Sequence, residues 1–207
     1  MTSLEPMRDH WWWRPGWRIG RKMYTWHITF DGQDRLHELV AEYQAALNPL
    51  PGLDLIPPRW LHLTMQGVGF TDEVSAQDAR AVATAARQRC FGLRPFELAF
   101  GQPIVDPESI QFALRPAEPA QALRRRIRAG IADVWGADKV PEAEEWSPHV
   151  SIAYSNSTGS PEPFAGALAR ARVPDATLTV STVELIILNR DNRMYEWDVF
   201  ERVTLRA

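Results

Sequence analysis

The sequence of 207 residues predicts an α+β fold. Three observations support this class: segments in which apolar and polar residues alternate, segments with apolar residues at helical spacing, and strands that follow one another directly. The predicted order is strand, helix, strand, helix, two strands, helix, strand, helix and two strands. No Gly/Ser-rich linker divides the chain. We therefore expect a single bilobal domain over 1–207, with an N-terminal arm (1–21) and a main fold from about 22 to 205.

The strands are predicted from alternation and from β-branched and aromatic residues. MYTWHITF (23–30) is the first, and WLHLTMQGV follows a Pro/Gly-rich loop over 48–58 as the second. A turn around Asp106-Pro107 joins the next two strands, and the turn 190–193 joins the last two. The later predicted strands are 96–101, 109–116, 149–155, 177–189 and 194–205.

The helices are predicted from apolar residues that recur every three or four positions. Residues 34–47 show this spacing, and Asn48-Pro49 ends the helix. A second helix opens at Thr71-Asp72-Glu73 and runs to about Cys90. Two more are expected over about 118–135 and 161–171.

Composition excludes several classes of protein. The chain is 45% hydrophobic with a formal net charge of -3, which suits a globular protein and argues against non-specific coating of nucleic acid. Its single cysteine, Cys90, excludes an intrachain disulfide and a zinc cluster of thiolates. No segment approaches the roughly 20 apolar residues of a membrane span, and the N-terminus lacks the apolar core of a signal peptide. We expect a cytoplasmic protein.

Two short strands carry the same polar pair. In WLHLTMQ (60–66), His62 and Thr64 lie on the face opposite Leu61, Leu63 and Met65. In SPHVSIAY (147–154), His149 and Ser151 share one face in the same way. One His-x-[Thr/Ser] tripeptide is weak support for a site, but two copies with similar flanking elements indicate an internal duplication.

These motifs, with the final strand pair ending in MYEWDVFERVTL, resemble the 2H phosphoesterase superfamily. Within it the chain is most similar to the 2'-5' RNA ligase-like proteins and their 2',3'-cyclic phosphodiesterase relatives. The resemblance runs from about residue 22 to 205. It implies two pseudo-symmetric antiparallel sheets with outer helices around a central cleft. It also implies that His62, Thr64, His149 and Ser151 are the catalytic residues.

The implied activity is hydrolysis of a 2',3'-cyclic phosphate, with reverse 2'-5' RNA ligation as a further possibility. Two histidines suit it because imidazole, with a pKa of about 6.5, is either acid or base near pH 7. The hydroxyls of Thr64 and Ser151 suit hydrogen bonding to phosphate oxygens. The resemblance assigns His149 as base and His62 as acid, an order that could be reversed. Two alternatives stay open: a non-catalytic module that binds nucleotide or RNA, and an enzyme for a non-RNA cyclic phosphate.

We expect no cofactor and no metal. The histidines lack the spacing of a zinc motif, and the only carboxylates grouped near either motif are Glu142, Glu144 and Glu145, which we interpret as a solvated loop. The expected partner is RNA with a terminal cyclic phosphate or a small nucleotide. No membrane partner is expected, and we expect a monomer.

Other residues are candidates for substrate contact. His27 shares a face with Thr25 and Thr29, so it is a candidate for the cleft, with a structural hydrogen-bonding role as the alternative. Tyr154 is a further candidate, although alternation places it opposite His149. The arm Trp11-Trp12-Trp13-Arg14-Pro15-Gly16-Trp17-Arg18 suits base stacking, but covering an apolar edge is the favoured interpretation. The arginines of 123–128 are expected to form a solvated helix face.

Overall fold

Ten strands and four α-helices form the part of the chain that the computed structural model describes, residues 4–141, 146–171 and 173–206. The strands are β1 (Met23–Thr29), β2 (Leu53–Leu55), β3 (His62–Phe70), β4 (Phe96–Phe100), β5 (Ile104–Asp106), β6 (Ser109–Ala113), β7 (His149–Ser155), β8 (Ala176–Val180), β9 (Thr182–Asn189) and β10 (Glu196–Thr204). The helices are α1 (Asp34–Leu47), α2 (Ala76–Cys90), α3 (Glu118–Trp135) and α4 (Glu162–Arg170). The α+β class is confirmed.

Two four-stranded antiparallel sheets dominate the fold. The first sheet has the order β10-β9-β1-β3, and the second has the order β2-β7-β6-β5. A small third sheet pairs β4 with β8. Strand β3 of the first sheet contacts β7 of the second, so the two strands with the His-x-[Thr/Ser] motifs face each other. The two antiparallel sheets expected from the resemblance are therefore present.

The helices cover the sheets in pairs. Helices α2 and α3 pack on each other, and they contact β10 and β3 of the first sheet. Helices α1 and α4 contact each other, and they contact β7 and β5 of the second sheet. The buried apolar side chains form a continuous core that includes Trp26, Phe100 and Phe112.

Several predicted elements differ from the structure. The loop over 48–58 contains β2, which pairs with β7. The predicted strand 177–189 is broken at Ser181, because β8 joins the small sheet and β9 joins the first sheet. The predicted strands 96–101 and 109–116 do not form a hairpin, since β4 pairs with β8 and β6 pairs with β7. Strand partners depend on tertiary structure, which alternation does not encode. The acidic stretch Glu142, Glu144 and Glu145 lies outside the described residues.

Gly130 of α3 is expected to be intolerant of a side chain. A Cβ at this position would lie 2.6 Å from the backbone N of Ala86 on α2. Gly130→Ala should therefore lower the free energy of unfolding by about 1–3 kcal/mol, measured by urea denaturation. Gly166→Ala on α4 is the matched control, because its Cβ meets only the flexible Arg170 side chain at 3.3 Å. It should raise stability by up to ~1 kcal/mol. Equal effects at the two glycines would contradict this account.

Candidate active site

A cavity of about 630 Å³ is lined by side chains from both sheets. All four residues of the two motifs line it, together with His27 and Tyr154. The structure thus brings every predicted site residue to one cavity.

The first half of the site lies on β3. Leu61, Leu63 and Met65 are at most 1% exposed, so burial of these side chains fixes the opposite face of the strand toward the cavity. The His62 Nδ1 lies 2.8 Å from the backbone carbonyl oxygen of Trp60. A carbonyl oxygen only accepts hydrogen bonds, so Nδ1 carries the proton and donates it. In neutral His62 the other ring nitrogen, Nε2, therefore has the free lone pair.

The second half of the site repeats this arrangement on β7. The His149 Nδ1 lies 2.9 Å from the carbonyl oxygen of Ser147, again two residues earlier. The same reasoning places the proton on Nδ1 and leaves Nε2 for other contacts. Ser151 follows two residues later, as Thr64 follows His62. The exposures differ: His149 is exposed, whereas His62 is buried.

Burial sets the acid–base character of His62. It lowers the pKa of His62 to about 4, against a smaller opposing effect of the Trp60 carbonyl and with a further lowering by the charge of His149. One imidazole and one indole pack against the ring. His27 stacks on it at 4.3 Å between ring centroids, and Trp197 packs edge-on at 5.2 Å. The sequence does not predict this contact, because Trp197 lies on β10, far along the chain from His62.

His27 is 1% exposed and contacts the first motif directly. Its Nε2 lies 3.2 Å from the Thr64 Oγ1. Burial, followed by the charge of His62, places the pKa of His27 well below the ordinary value. The structure thus gives His27 a hydrogen bond to a motif hydroxyl.

A β-bulge places Tyr154 toward the cavity. Gln111 of β6 pairs with Ser151, but the preceding Ile110 pairs with Ala153, so β7 has an extra residue at Ile152. A bulge shifts the alternation of the strand. Tyr154 consequently lines the same cavity as His149, and the prediction that it lies on the opposite face is wrong.

The N-terminal arm also contributes to the cavity, through His10, Arg14 and Trp17. The backbone N of His10 donates to the carbonyl of Ser155, and its ring stacks on Tyr154 at 4.2 Å between centroids. Arg14 binds Glu108 with an Nη2–Oε2 distance of 2.7 Å. The arm therefore does more than cover an apolar edge. The partners of His10 lie far along the chain, so no local sequence pattern predicts its place in the cavity.

Two arginines of α3 bind groups of β3, whereas the sequence predicts a solvated helix face. The Arg124 Nε donates to the carbonyl of Met65 at 2.8 Å, and Arg128 donates to the Gln66 Oε1 at 2.8 Å. Strand β3 is an edge strand, and Trp146 completes its cover by donating from Nε1 to the Thr64 carbonyl at 3.1 Å. Arg124 and Trp146 thus occupy two backbone carbonyls of β3, and Arg128 binds the side chain of Gln66.

Acid is expected to destabilise the folded chain through its buried histidines. Burial, with the charges of Arg14 and Arg190, lowers the pKa of His10 to about 3, so His10 and His62 both stay neutral in the folded state at pH 5. The unfolded chain binds protons at the ordinary pKa of about 6.5. The free energy of unfolding therefore has its full value above about pH 6.5. Below that pH it falls by up to about 1.4 kcal/mol per histidine per pH unit.

Urea denaturation at pH 7.5 and pH 5 measures this loss of stability. His10→Gln removes one of the titrating groups and should make the pH dependence shallower. The same pH dependence in both proteins would contradict the assignment to His10.

Within residues 4–141, 146–171 and 173–206, no helix is long and apolar enough to cross a bilayer. The same ranges contain no group of three or more His, Cys, Asp or Glu side chains arranged to hold a metal ion. Cys90 is buried, and burial raises the pKa of its thiol to about 11.

Fold and site together define a two-histidine phosphoesterase architecture. The family model of the 2'-5' RNA ligase superfamily matches residues 32–192. The chain therefore belongs to the 2'-5' RNA ligase superfamily, and the resemblance to 2H phosphoesterases is confirmed. No curated protein matches the chain significantly.

Solved structures share this fold at low sequence identity. TT0787 of Thermus thermophilus is 20% identical with a TM-score of 0.66, and the match covers 90% of this chain and 98% of that chain. E. coli LigT in apo form is 15% identical with a TM-score of 0.65, covering 90% of this chain and 99% of LigT. LigT has also been solved with 3'-AMP, NADP+ and ATP. These similarities show the fold.

Proposed function

We propose that the protein is a metal-independent phosphoesterase that hydrolyses 2',3'-cyclic phosphates at RNA ends or on nucleotides. One observation carries the proposal. Two imidazoles on facing strands are each held by a bond from Nδ1 to the carbonyl two residues earlier, and each is followed two residues later by a hydroxyl. Both Nε2 atoms are thereby available to a group bound in the shared cavity.

The reaction is an in-line displacement at phosphorus. A water molecule attacks, its oxygen forms the new P–O bond, and its proton passes to the neutral histidine. The bond from phosphorus to one ribose oxygen breaks, and that oxygen takes a proton from the protonated histidine. The hydroxyls of Thr64 and Ser151 donate to the non-bridging oxygens, where charge accumulates. Both proton transfers are supplied by side chains, so this mechanism needs no metal. In the ligation direction the two histidines exchange roles.

For hydrolysis we assign His149 as the base and His62 as the acid. The exposure of His149 allows a water molecule to approach it. The low pKa of His62 opposes the assignment, because burial keeps this ring neutral near pH 7. A phosphate anion at Nε2 offsets this effect, since an adjacent negative charge favours the protonated imidazole. We therefore expect substrate binding to raise the pKa of His62.

A nucleotide-sized substrate agrees with the dimensions of the cavity. Its volume of about 630 Å³ lies within the usual range of about 300–1,000 Å³ for small-molecule sites. The solved LigT complexes with 3'-AMP, NADP+ and ATP support nucleotide binding by this architecture. The proposed substrates are thus small nucleotides and the terminal nucleotide of RNA.

The proposal is tested on a panel of 2',3'-cyclic mononucleotides and oligonucleotides ending in a cyclic phosphate, after EDTA treatment. We expect turnover that EDTA leaves unchanged, and the product, a 2'- or 3'-phosphate, identifies the oxygen that leaves. Inactivity on the whole panel with retained nucleotide binding would instead support a binding module. Inactivity on the panel, together with turnover of another cyclic phosphate, would support a non-RNA substrate.

A further inference from the structure

The end of the cavity away from the histidines is apolar and aromatic. We call it the distal subsite and define it by four lining residues, Trp17, Met23, Gly67 and Leu188. Three of them belong to neighbouring strands of the first sheet, where Met23 of β1 pairs with Leu188 of β9. The fourth, Trp17, comes from the N-terminal arm and packs edge-on against Phe70 at 5.2 Å between ring centroids. Phe70 is the β3 partner of Met23.

The distal subsite lies within a nucleotide's reach of the two motifs. Met23 and His27 line the same cavity from one strand, four residues and about 13 Å apart. Gly67 follows Thr64 by three residues on β3 and lies between these two levels. Because Thr64 pairs with His27, the same distance separates Thr64 from the level of Met23.

Gly67 allows the Met23 side chain to lie close against β3. A Cβ at this position would lie 3.0 Å from the Met23 Cε and 4.0 Å from the Thr25 Oγ1, on the cavity side of the sheet. An alanine here would therefore displace the Met23 methyl group, which lines the distal subsite.

The arm holds Trp17 in a fixed position. On one side of Trp17, the His10 backbone N donates to the carbonyl of Ser155, the last residue of β7 in the second sheet. On the other side, the Arg21 guanidinium binds Asp72, and the Gly20 N binds Asp191. Trp17 is thus part of a strap that joins the two sheets. This strap precedes residues 32–192, which the family model matches.

We propose that the distal subsite binds the base of the nucleotide whose cyclic phosphate lies between His62 and His149. This inference rests on the proposed function. Aromatic side chains stack on the π-face that every base has, so such a site is tolerant of base identity. The four residues that define the subsite are uncharged, and the Arg190 guanidinium lies 6.0 Å from the Trp17 ring centroid. We therefore expect kcat/KM for the four 2',3'-cyclic mononucleotides to differ by less than about tenfold.

The test compares a nucleotide with a small analogue that lacks a base. Glycerol 1,2-cyclic phosphate has the same five-membered cyclic phosphate, and adenosine 2',3'-cyclic phosphate adds the nucleoside. The readout is the ratio of kcat/KM for the nucleotide to kcat/KM for the glycerol compound. Trp17→Leu should lower this ratio by about 5- to 150-fold, the range expected for loss of one stacking contact. Gly67→Ala should lower it as well.

Trp13→Leu is the matched control, because Trp13 belongs to the same arm, is 52% exposed and does not line the cavity. Its ratio should equal that of the wild type. If Trp17→Leu does not fold, Gly67→Ala decides the question. An unchanged ratio in Gly67→Ala and in any folded Trp17→Leu would overturn the inference.

Binding separates this inference from the proposed function. If the wild type turns over neither substrate, the proposed function fails. The ratio of dissociation constants for adenosine 3'-phosphate and glycerol 3-phosphate then replaces the kinetic ratio. A lower preference for the nucleotide in Trp17→Leu and Gly67→Ala supports the distal subsite. An equal preference in all proteins rejects it.

Discussion

Replacing either His62 or His149 with alanine is expected to lower kcat for hydrolysis of a 2',3'-cyclic phosphate by about 100- to 10,000-fold. Each substitution removes one of the two proton transfers while leaving the cavity and the other half-site in place. His37→Gln is the matched control, because His37 lies on α1 and binds the Phe30 carbonyl outside the cavity. Near wild-type turnover in either alanine variant, with an unchanged thermal midpoint, would exclude the two-histidine mechanism.

A substrate with a good leaving group separates the acid from the base. A p-nitrophenyl phosphodiester releases a phenolate that needs no proton, so the variant that lacks only the acid should lose much less activity on it. We expect His62→Ala to recover on this substrate and His149→Ala to remain impaired. The opposite pattern would reverse the assignment. The low pKa of His62 makes this experiment informative, since burial alone favours a base at this position.

The second large effect is expected at the hydroxyls. Thr64→Val and Ser151→Ala should each lower kcat by about 100- to 1,000-fold with little change in KM, if each hydroxyl stabilises charge that develops in the transition state. Thr64→Ser and Ser151→Thr keep the donor and should retain most activity. A rise in KM with unchanged kcat would instead show that the hydroxyls bind the ground state.

The hydrogen bond between His27 and Thr64 constrains how that hydroxyl acts. If the Thr64 hydroxyl donates to the phosphate, its oxygen must accept from the His27 Nε2, which lies 3.2 Å away. His27 must then carry its proton on Nε2. Burial keeps this ring neutral, so a single tautomer is fixed by one hydrogen bond. His27 is thus a positioning residue in the proposed mechanism.

Alternation predicted which face of each strand carries the His-x-[Thr/Ser] pair, and the family resemblance predicted that the two pairs meet in one cleft. Burial of Leu61 and Leu63 fixes where His62 points, and this information is local to the strand. The bulge at Ile152 is different, because it depends on pairing with β6, and so the face of Tyr154 could not be predicted. His10 reaches the cavity through the carbonyl of Ser155, which is distant in the chain. Long-range partners of this kind leave no periodic pattern.

The covered edge of β3 has a consequence for self-association. An exposed strand edge is a template on which another chain adds a strand, a common first step toward aggregation. The carbonyls of Thr64 and Met65 are already bound by the side chains of Trp146 and Arg124. A strand of a second copy therefore cannot donate to these two carbonyls of β3 without displacing those side chains. The side chains of Trp146 and Arg124 thereby disfavour the addition of a strand at this edge.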